Sequence, residues 1–362
     1  MKFLLAGYFG FGNFGDEAIL KYAVDILRFY YKQNEISIIT QTPHVVKKNF
    51  GCNGIYRFDL KAIFSAIKSC DYLIFPGGSI LQDVTSIKSI LYYLSLIALA
   101  CLFKKKVIML AQGIGPINNN FAKKLAIKLL KKVSLITLRD SKSYEMLTEN
   151  GIACELTADL LWAFTQKARY KEDKSNIMLG DISGSAQKKV VGIQLRKWAD
   201  LDNEKLEVLA KAIIKNFPHF EFDYKLIALQ KDGDAEVLVE LGKIMHDLSK
   251  KAKIELYSET SIEENINILQ SVDYLIAMRF HAGLCAINAE KSLLMLSYDP
   301  KTEEFCNDLG LQYINIKDIS AQSAKEGLAW LKEFNPARTA LKTNILVKKS
   351  QQNVDFLVEV IK

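Results

Sequence analysis

The sequence contains no apolar run long enough to span a membrane. The longest such run, Ile90 to Phe103, lies between lysines and falls short of the roughly 20 residues that a spanning helix needs. We expect it to form a helix buried against a sheet, with a membrane-surface or dimer contact as the alternative. The opening MKFLLAG is likewise too short for the apolar core of a secretory signal and predicts a first strand.

Cysteine is scarce, and the net charge is low for the length of the chain. The six cysteines are scattered without C-x-x-C spacing, which disfavours zinc and redox-disulfide sites and predicts reduced thiols in a cytoplasmic protein. A net charge of +7 over 362 residues allows weak attraction to phosphate or anionic lipid. The sequence has no basic tail of the kind that would indicate a nucleic-acid partner. With 49% hydrophobic residues, the chain has the composition of a globular protein and the length of two domains.

Short apolar runs typical of buried strands alternate with amphipathic runs in both halves of the sequence. This alternation predicts an α/β fold of two Rossmann-like domains, each a parallel sheet with helices on both faces. We expect an N-terminal domain over 1–165, a polar linker over 166–189, a C-terminal domain over 190–335 and a helical segment over 336–362 that packs back on the first domain. Two such domains facing each other would enclose a cleft lined by loops from the carboxyl ends of their strands. The predicted strands are Lys2–Ala6, Ile36–Thr40, Tyr72–Phe75, Val107–Ala111, Leu135–Leu138, Val190–Leu195, Tyr224–Leu229, Ile254–Leu256, Tyr274–Ala277, Leu293–Leu296 and Tyr313–Ile316.

The loop after the first predicted strand has the G-x-G-x-x-G spacing of a dinucleotide-binding turn, over residues 10–15. Two features argue against that function. No carboxylate ends the second strand, where a ribose would need one, and Asp16 and Glu17 would repel a pyrophosphate. Asp16 is instead a candidate N-cap for the following helix. The functional alternative is that Asn13, Asp16 and Glu17 bind sugar hydroxyls, from which carboxylates accept hydrogen bonds.

Three further strand ends in the first half carry glycine or polar side chains. Glycines allow a ligand to approach the backbone closely. Each loop alone is also explained as a tight turn, but equivalent strand ends share one rim of a sheet, which favours a site. The candidate acceptor-binding residues here are Gly77, Gly78, Ser79, Gln82, Asp83 and Gln112, and Arg139 follows the fifth strand.

The strands of the second half end in cations. Arg196, Arg279 and Lys301 each follow a predicted strand, and His281, alone among four histidines, lies at a strand end beside an arginine. Arginine and lysine suit phosphate or carboxylate groups, and histidine can donate a proton near neutral pH. Because the first half offers carboxylates and amides instead, the contrast predicts a hydroxyl-bearing acceptor on one domain and a small anionic donor on the other.

Eight motifs are spread in order over most of the chain. They are GNFGDEAIL (12–20), FPGGSILQD (75–83), QGIGP (112–116), LRDSKS (138–143), TADLLWAF (157–164), GIQLRKW (192–198), RFHAGLCAI (279–287) and SYDPK (297–301). Together they resemble the polysaccharide pyruvyltransferase family, in particular the CsaB-type enzymes that modify bacterial cell-wall polymers. The resemblance implies a GT-B-like fold, as in two-domain, metal-independent glycosyltransferases.

The resemblance also implies transfer of a pyruvyl group from phosphoenolpyruvate to two hydroxyls of a sugar, as a cyclic ketal. The acceptor it implies is N-acetylmannosamine in a lipid-linked precursor at the cytoplasmic face of the membrane. In bacteria with S-layers, the pyruvylated polymer would anchor S-layer proteins. By the same resemblance, Arg139, His281 and Lys301 carry the chemistry.

The mechanism that these residues predict uses neither a metal ion nor a cofactor. His281 is the candidate acid for phosphoenolpyruvate, and Asp16 or Glu17 would orient the attacking hydroxyl. Two alternatives remain open, a sugar-nucleotide glycosyltransferase of the same architecture and a non-catalytic module that binds glycan. The cations predicted to hold the donor are Arg139, Arg196, Arg279 and Lys301.

Lysines gather around the apolar run of residues 90–103. They form either a solvated helix face or a peripheral contact with anionic lipid, which would suit a lipid-linked acceptor at the inner face of the membrane. The group consists of Lys104–Lys106, Lys123, Lys124, Lys128, Lys131 and Lys132.

Overall fold

The computed structural model describes residues 1–84, 86–165 and 188–361. The chain divides into two compact units. The N-terminal unit comprises Met1–Phe164 with Ile345–Lys362, and the C-terminal unit comprises Thr165–Asn344. The linker predicted at 166–189 lies outside the described residues, apart from its last two positions.

The N-terminal unit is built on an eight-stranded parallel sheet. Its strands are β1 (Lys2–Ala6), β2 (Glu35–Thr40), β3 (Asn53–Tyr56), β4 (Tyr72–Phe75), β5 (Gly78–Leu81), β6 (Lys106–Ile114), β7 (Leu135–Leu138) and β8 (Glu155–Leu156). Their order is β3-β2-β1-β4-β6-β7-β8, with β5 paired to β6. The chain thus moves from β1 first to one edge and then to the other, as in doubly wound folds.

Helices connect these strands and cover the sheet. They are α1 (Phe14–Tyr30), α2 (Pro43–Phe50), α3 (Leu60–Ser69), α4 (Ile87–Leu102), α5 (Asn120–Leu130) and α6 (Ser141–Glu149). Helices α3, α4 and α5 lie side by side and share one apolar cluster with the sheet. Because α4 buries Ile90, Leu94 and Ile97 in that cluster, the prediction of a buried helix over residues 90–103 is confirmed. Within the described ranges, no helix combines the length and the apolar content that crossing a bilayer requires.

The C-terminal unit has a six-stranded parallel sheet of order β11-β10-β9-β12-β13-β14. Its strands are β9 (Lys189–Gln194), β10 (Phe222–Ile227), β11 (Ile254–Tyr257), β12 (Tyr274–Ala277), β13 (Ser292–Ser297) and β14 (Tyr313–Asn315). Its helices are α7 (Asn203–Asn216), α8 (Lys231–Leu248), α9 (Ile262–Ser271), α10 (Phe280–Asn288), α11 (Pro300–Leu309) and α12 (Ala321–Glu333). The predicted α/β class, with parallel sheets and helices on both faces, is therefore confirmed.

The last helix, α13 (Ala340–Val360), belongs to the N-terminal unit from Ile345 onward. The Asn353 amide donates to the Ala158 carbonyl at 3.0 Å, and its side-chain oxygen accepts from the Thr157 hydroxyl at 2.9 Å. The Tyr72 hydroxyl donates to the Ile361 carbonyl at 3.4 Å. These contacts tie the end of the chain to β4 and to the segment that follows β8.

Every predicted strand is present, with ends that differ by a few residues, but three short strands were not predicted: β3, β5 and β8. The N-cap prediction for Asp16 is wrong. Helix α1 begins at Phe14 with Asn13 in the cap position, so Asp16 lies in the first turn. Asp140 caps α6, because its carboxylate accepts the Ser143 amide at 2.8 Å.

Candidate active site

The glycine-rich loop between β1 and α1 is folded around the side chain of Glu17. Gly10 and Gly12 have φ of 82° and 68°, in the left-handed region that glycine adopts without strain. The Gly10 amide donates to Glu17 Oε1 at 2.6 Å. The Glu17 carboxyl group therefore accepts the hydrogen bond of a backbone N–H group that, in a dinucleotide-binding turn, would bind the pyrophosphate.

Glu17 differs from an ordinary carboxyl group in its proton affinity. Burial is the main cause that raises the pKa of Glu17 to about 7, and the charge of neighbouring Asp16 acts in the same direction. Hydrogen bonds from the backbone at residues 10–12 oppose the rise. Beside it, the Asn13 amide donates to the Asp16 carboxylate, which fixes that carboxylate at the start of α1. The loop thus presents one oriented carboxylate and one carboxyl group that can exchange a proton near neutral pH.

Arg139, which follows β7, is held by two polar neighbours, one from β5 and one from the segment after β8. Its Nη1 lies 2.5 Å from Asp159 Oδ2, and its Nη2 donates to Ser79 Oγ at 2.9 Å. The side chains of Asp159 and Arg139 are only 2% and 14% exposed, so the pair is largely shielded from water. Gly113 leaves the room for this arrangement, because a Cβ there would lie 2.6 Å from Ser79 Oγ.

Three predicted residues lie near the carboxyl ends of β4 and β6: Gly77, Gly78 and Gln112. A Cβ on Gly78 would be 3.4 Å from Asp16 Oδ1, and one on Gly77 would be 3.0 Å from the Ile19 side chain. Gln112 is fully buried and donates to the Phe75 carbonyl at 3.0 Å. Among the described residues its Oε1 has no hydrogen-bond partner.

The predicted residues behind β5 make local contacts that shape a turn. Asp83 accepts from the amides of Asn118 and Asn119 at 2.9 and 2.6 Å, and these backbone bonds hold the pKa of Asp83 below its usual range. Gln82 Oε1 accepts from the Val84 amide at 2.7 Å. Both side chains thus shape the loops that follow β5 and β6.

An aromatic cluster, which the sequence prediction missed, borders the glycine-rich loop. The rings of Tyr8 and Phe11 stack with centroids 4.1 Å apart and planes within 6°. The Arg57 guanidinium lies 5.0 Å from the Phe11 ring and 5.0 Å from the Tyr92 ring, at cation–π distance. The available signal was the repetition of aromatics between glycines in GYFGFGNF. The exposed ring of Tyr8 offers a flat apolar surface in the loop that leads from β1 to Asn13 and α1.

In the C-terminal unit, the neighbouring strands β9, β12 and β13 bring the predicted cations to one edge of the sheet. Arg196 Nη1 donates to the Tyr298 hydroxyl at 3.0 Å. Its guanidinium lies 5.1 Å from the rings of both Trp198 and Tyr298. Burial raises the pKa of Tyr298, while the charges of Arg196 and Arg279 oppose the rise. Aromatic contacts and one hydrogen bond thus orient Arg196.

Arg279 is paired with a buried carboxylate that the sequence prediction missed. Its Nε and Nη2 contact the two oxygens of Asp234 at 2.7 and 2.6 Å, and Nη2 also donates to Gln230 Oε1 at 2.8 Å. Asp234 is fully buried and accepts from the Gln194 amide at 3.1 Å. Such a two-pronged pair fixes the guanidinium plane. The available signal was Asp-x-Asp at 232–234, a metal-site spacing whose second carboxylate binds an arginine here.

His281 and Lys301 lie in the first turns of α10 and α11. The His281 ring packs edge-on against Phe280 at 5.0 Å, and Lys301 is exposed. Asp299 caps α11 by accepting the Thr302 amide at 2.9 Å. Because both helices begin beside adjacent strands, their positive ends add to the charge of the cations at this edge. In the part of the chain described, no three His, Cys, Asp or Glu side chains form a cluster that could bind a metal.

Comparison with known sequences identifies a family. The family model described as polysaccharide pyruvyl transferase matches residues 13–300, which is most of the chain. A curated relative, the amylovoran biosynthesis protein AmsJ of Erwinia amylovora, is 23% identical over 369 residues and is matched over 86% of each chain.

Solved structures similar to the chain share its GT-B-like fold. The UDP-GlcNAc 2-epimerase of Neisseria meningitidis has a TM-score of 0.64 at 14% identity, over 99% of this chain and 100% of that chain. The UDP-GlcNAc 2-epimerase of Methanocaldococcus jannaschii has a TM-score of 0.65 at 11% identity, over 99% of each. At such low identities the likeness concerns the fold alone.

Proposed function

This chain belongs to the polysaccharide pyruvyl transferase family, and from that membership we propose that it transfers a pyruvyl group from phosphoenolpyruvate to two hydroxyls of one sugar. The product is a cyclic pyruvate ketal, and phosphate is released. The acceptor is N-acetylmannosamine in a lipid-linked precursor of a cell-wall polysaccharide, as implied for CsaB-type members, and no metal or cofactor takes part.

The observation that carries this proposal is the group of cations at one edge of the C-terminal sheet. Phosphoenolpyruvate bears a phosphate and a carboxylate, and both need cationic partners. Arg196 supplies positive charge that its uncharged neighbours Tyr298 and Trp198 leave unbalanced, whereas the charge of Arg279 is balanced by Asp234 at 2.6 Å. Lys301 places a further ammonium group at the start of α11. Arg279 then serves as a fixed guanidinium that orients the donor. The N-termini of α10 and α11 favour binding of the donor's phosphate group.

The reaction requires protonation of C3 of the donor before C2 becomes electrophilic. His281, as imidazolium, gives this proton, so that the CH₂ group becomes a methyl group. A sugar hydroxyl oxygen bonds to C2, the bond from C2 to the phosphate oxygen breaks, and the second hydroxyl oxygen takes the vacated position. Of the two hydroxyl protons lost, one leaves with the phosphate. The other is taken by a base of the acceptor site and released to solvent, from which His281 regains the proton that it gave. Cationic side chains stabilise the departing phosphate.

The N-terminal unit supplies the groups for the acceptor. Asp16, oriented by Asn13, accepts a hydrogen bond from a sugar hydroxyl. Glu17, with a pKa raised to about 7, can take the proton that this hydroxyl loses. The exposed face of the Tyr8 ring packs against the apolar face of the sugar ring. Arg139, held by Ser79 and Asp159, is assigned to the donor by the family resemblance.

The test is phosphate release from phosphoenolpyruvate with a panel of synthetic N-acetylhexosaminyl lipids. Wild-type protein should release phosphate with at least one acceptor, and His281→Ala should abolish the release. His246→Ala, which removes an exposed histidine of α8, is the matched control and should keep it. Full activity in H281A would refute the assigned acid. Nucleotide release from a sugar nucleotide would support the glycosyltransferase alternative, and glycan binding without any turnover would support the binding module.

A further inference from the structure

The positive charge of the protein is concentrated in one stretch of sequence, residues 60–134. This stretch contains 11 lysines, no arginine and two acidic residues, a balance of +9. The rest of the chain has 37 basic and 39 acidic residues, a balance of −2. The modest overall charge of +7 therefore conceals a strongly basic segment.

The fold gathers most of these lysines on one side of the N-terminal unit. The stretch contains α3, α4 and α5, which lie side by side over the same apolar cluster. Both acidic residues accept backbone amides: Asp71 that of Lys2 at 2.8 Å, and Asp83 that of Asn119 at 2.6 Å. Among the described residues none of the 11 lysines forms an ion pair. Lys106 is directed elsewhere, with its ammonium 3.4 Å from the Val360 carbonyl.

Large apolar side chains are exposed among these lysines. Leu60 at the start of α3 and Leu102 at the end of α4 are 72% and 73% exposed. Phe64 on α3 is exposed as well and contacts Phe103 edge-on at 5.1 Å. Phe121, in the first turn of α5, is also exposed. We call the exposed side chains of α3, α4 and α5, with Lys104, Lys105, Lys131 and Lys132, the basic helical face.

We propose that the basic helical face docks the protein on a bilayer that contains anionic phospholipid. Lysines near an anionic membrane surface contribute about 1 kcal/mol each, and leucine and phenylalanine side chains can enter the interfacial region of the bilayer. Lysine and aliphatic side chains suit the surface of an anionic bilayer. A nucleic-acid site would instead present arginine side chains that bind phosphate and aromatic side chains that stack on bases. The docking does not depend on the assigned reaction, although it would bring a lipid-linked sugar within reach.

The test is co-sedimentation of the full chain with phosphatidylcholine vesicles that either contain or lack phosphatidylglycerol. Binding should require phosphatidylglycerol and should weaken as salt rises, because exposed charges are screened. The triple variant Lys123→Glu, Lys128→Glu, Lys132→Glu should bind at least about 100-fold more weakly, given about 1 kcal/mol per lysine. The matched control reverses three exposed lysines of the C-terminal unit, Lys251→Glu, Lys317→Glu and Lys325→Glu, and should bind as the wild type does.

A second variant tests the apolar contribution. Leu102→Ser keeps the charge and changes an exposed side chain, and it should weaken binding to the same vesicles several-fold. Equal binding to both vesicle types, unchanged binding of the K123E/K128E/K132E variant, or an equal loss in its control would overturn the proposal. Phosphate release with a water-soluble acceptor should stay unchanged in that variant, which separates failure of docking from failure of the reaction.

Discussion

Glu17→Gln should stabilise the protein at alkaline pH and change little in acid. Burial, aided by the charge of Asp16, raises the pKa of Glu17 from 4.5 to about 7. A carboxyl group whose pKa is raised on folding binds its proton more tightly in the folded state. Its contribution to stability is thus fully present below pH 4.5 and is lost as the pH rises through about 7. At about 1.4 kcal/mol per unit, the loss amounts to about 3 kcal/mol at pH above about 8.

Glutamine removes the ionisation but keeps an oxygen that can accept the Gly10 amide. Urea unfolding of wild type and E17Q, at pH near 4.5 and near 8.5, measures the difference in the free energy of unfolding. E17Q should be more stable by about 3 kcal/mol at the higher pH, and the gap should nearly close at the lower one. The control is Glu145→Gln, which changes an exposed carboxylate of α6. A gap of the same size at both pH values would refute the reasoning, since a lost contact does not titrate.

Two further predictions concern buried charge and backbone conformation. Asp234→Asn leaves Arg279 buried without a counter-charge and should lower the free energy of unfolding, measured with urea, by about 3–5 kcal/mol. The double variant Asp234→Leu, Arg279→Met should lower it less. A double variant no more stable than D234N would contradict this prediction. Gly10→Ala should lower the unfolding midpoint more than Gly151→Ala. Both glycines have positive φ, which costs about 1–2 kcal/mol for a residue with a Cβ. Only at Gly10 would the Cβ also lie 2.4 Å from Thr40 Oγ1, while Gly151 has open space, so equal losses would argue against the steric explanation.

The longer strands could be predicted from the sequence, whereas the shortest could not. Burial on both faces leaves a continuous apolar run, and β4, with the sequence YLIF, is fully buried. By contrast, β3 (NGIY) and β5 (GSIL) each contain a glycine and look like turns. They become strands because a neighbour offers hydrogen-bonding partners, as Ile38 does for Gly54 and Gln112 does for Gly78. Such pairing is a tertiary effect without a local signature.

The candidate site shows the same division between local and long-range signals. Strand ends, and hence the positions of Arg139 and Arg279, follow from the alternation of strands and helices. Their carboxylate partners Asp159 and Asp234 lie 20 and 45 residues away in sequence, and only the tertiary packing of the segment after β8 and of α8 brings them into contact. The error at Asp16 is local instead, since the helix starts earlier, with the Asn13 carbonyl accepting the Glu17 amide at 3.1 Å.

The two arginine–carboxylate pairs have a common electrostatic consequence. Arg139 with Asp159 and Arg279 with Asp234 are each close to neutral, so neither pair attracts an anion strongly from solution. What each pair supplies is a guanidinium whose orientation is fixed before a ligand arrives, which lowers the cost of reorganisation during reaction. Attraction of an anionic donor then depends on cations without a buried counter-charge, and Arg196 is such a cation, since its contacts in the C-terminal unit are the uncharged Tyr298 and Trp198. In the proposed reaction, therefore, capture and orientation of the donor are separate tasks of separate residues.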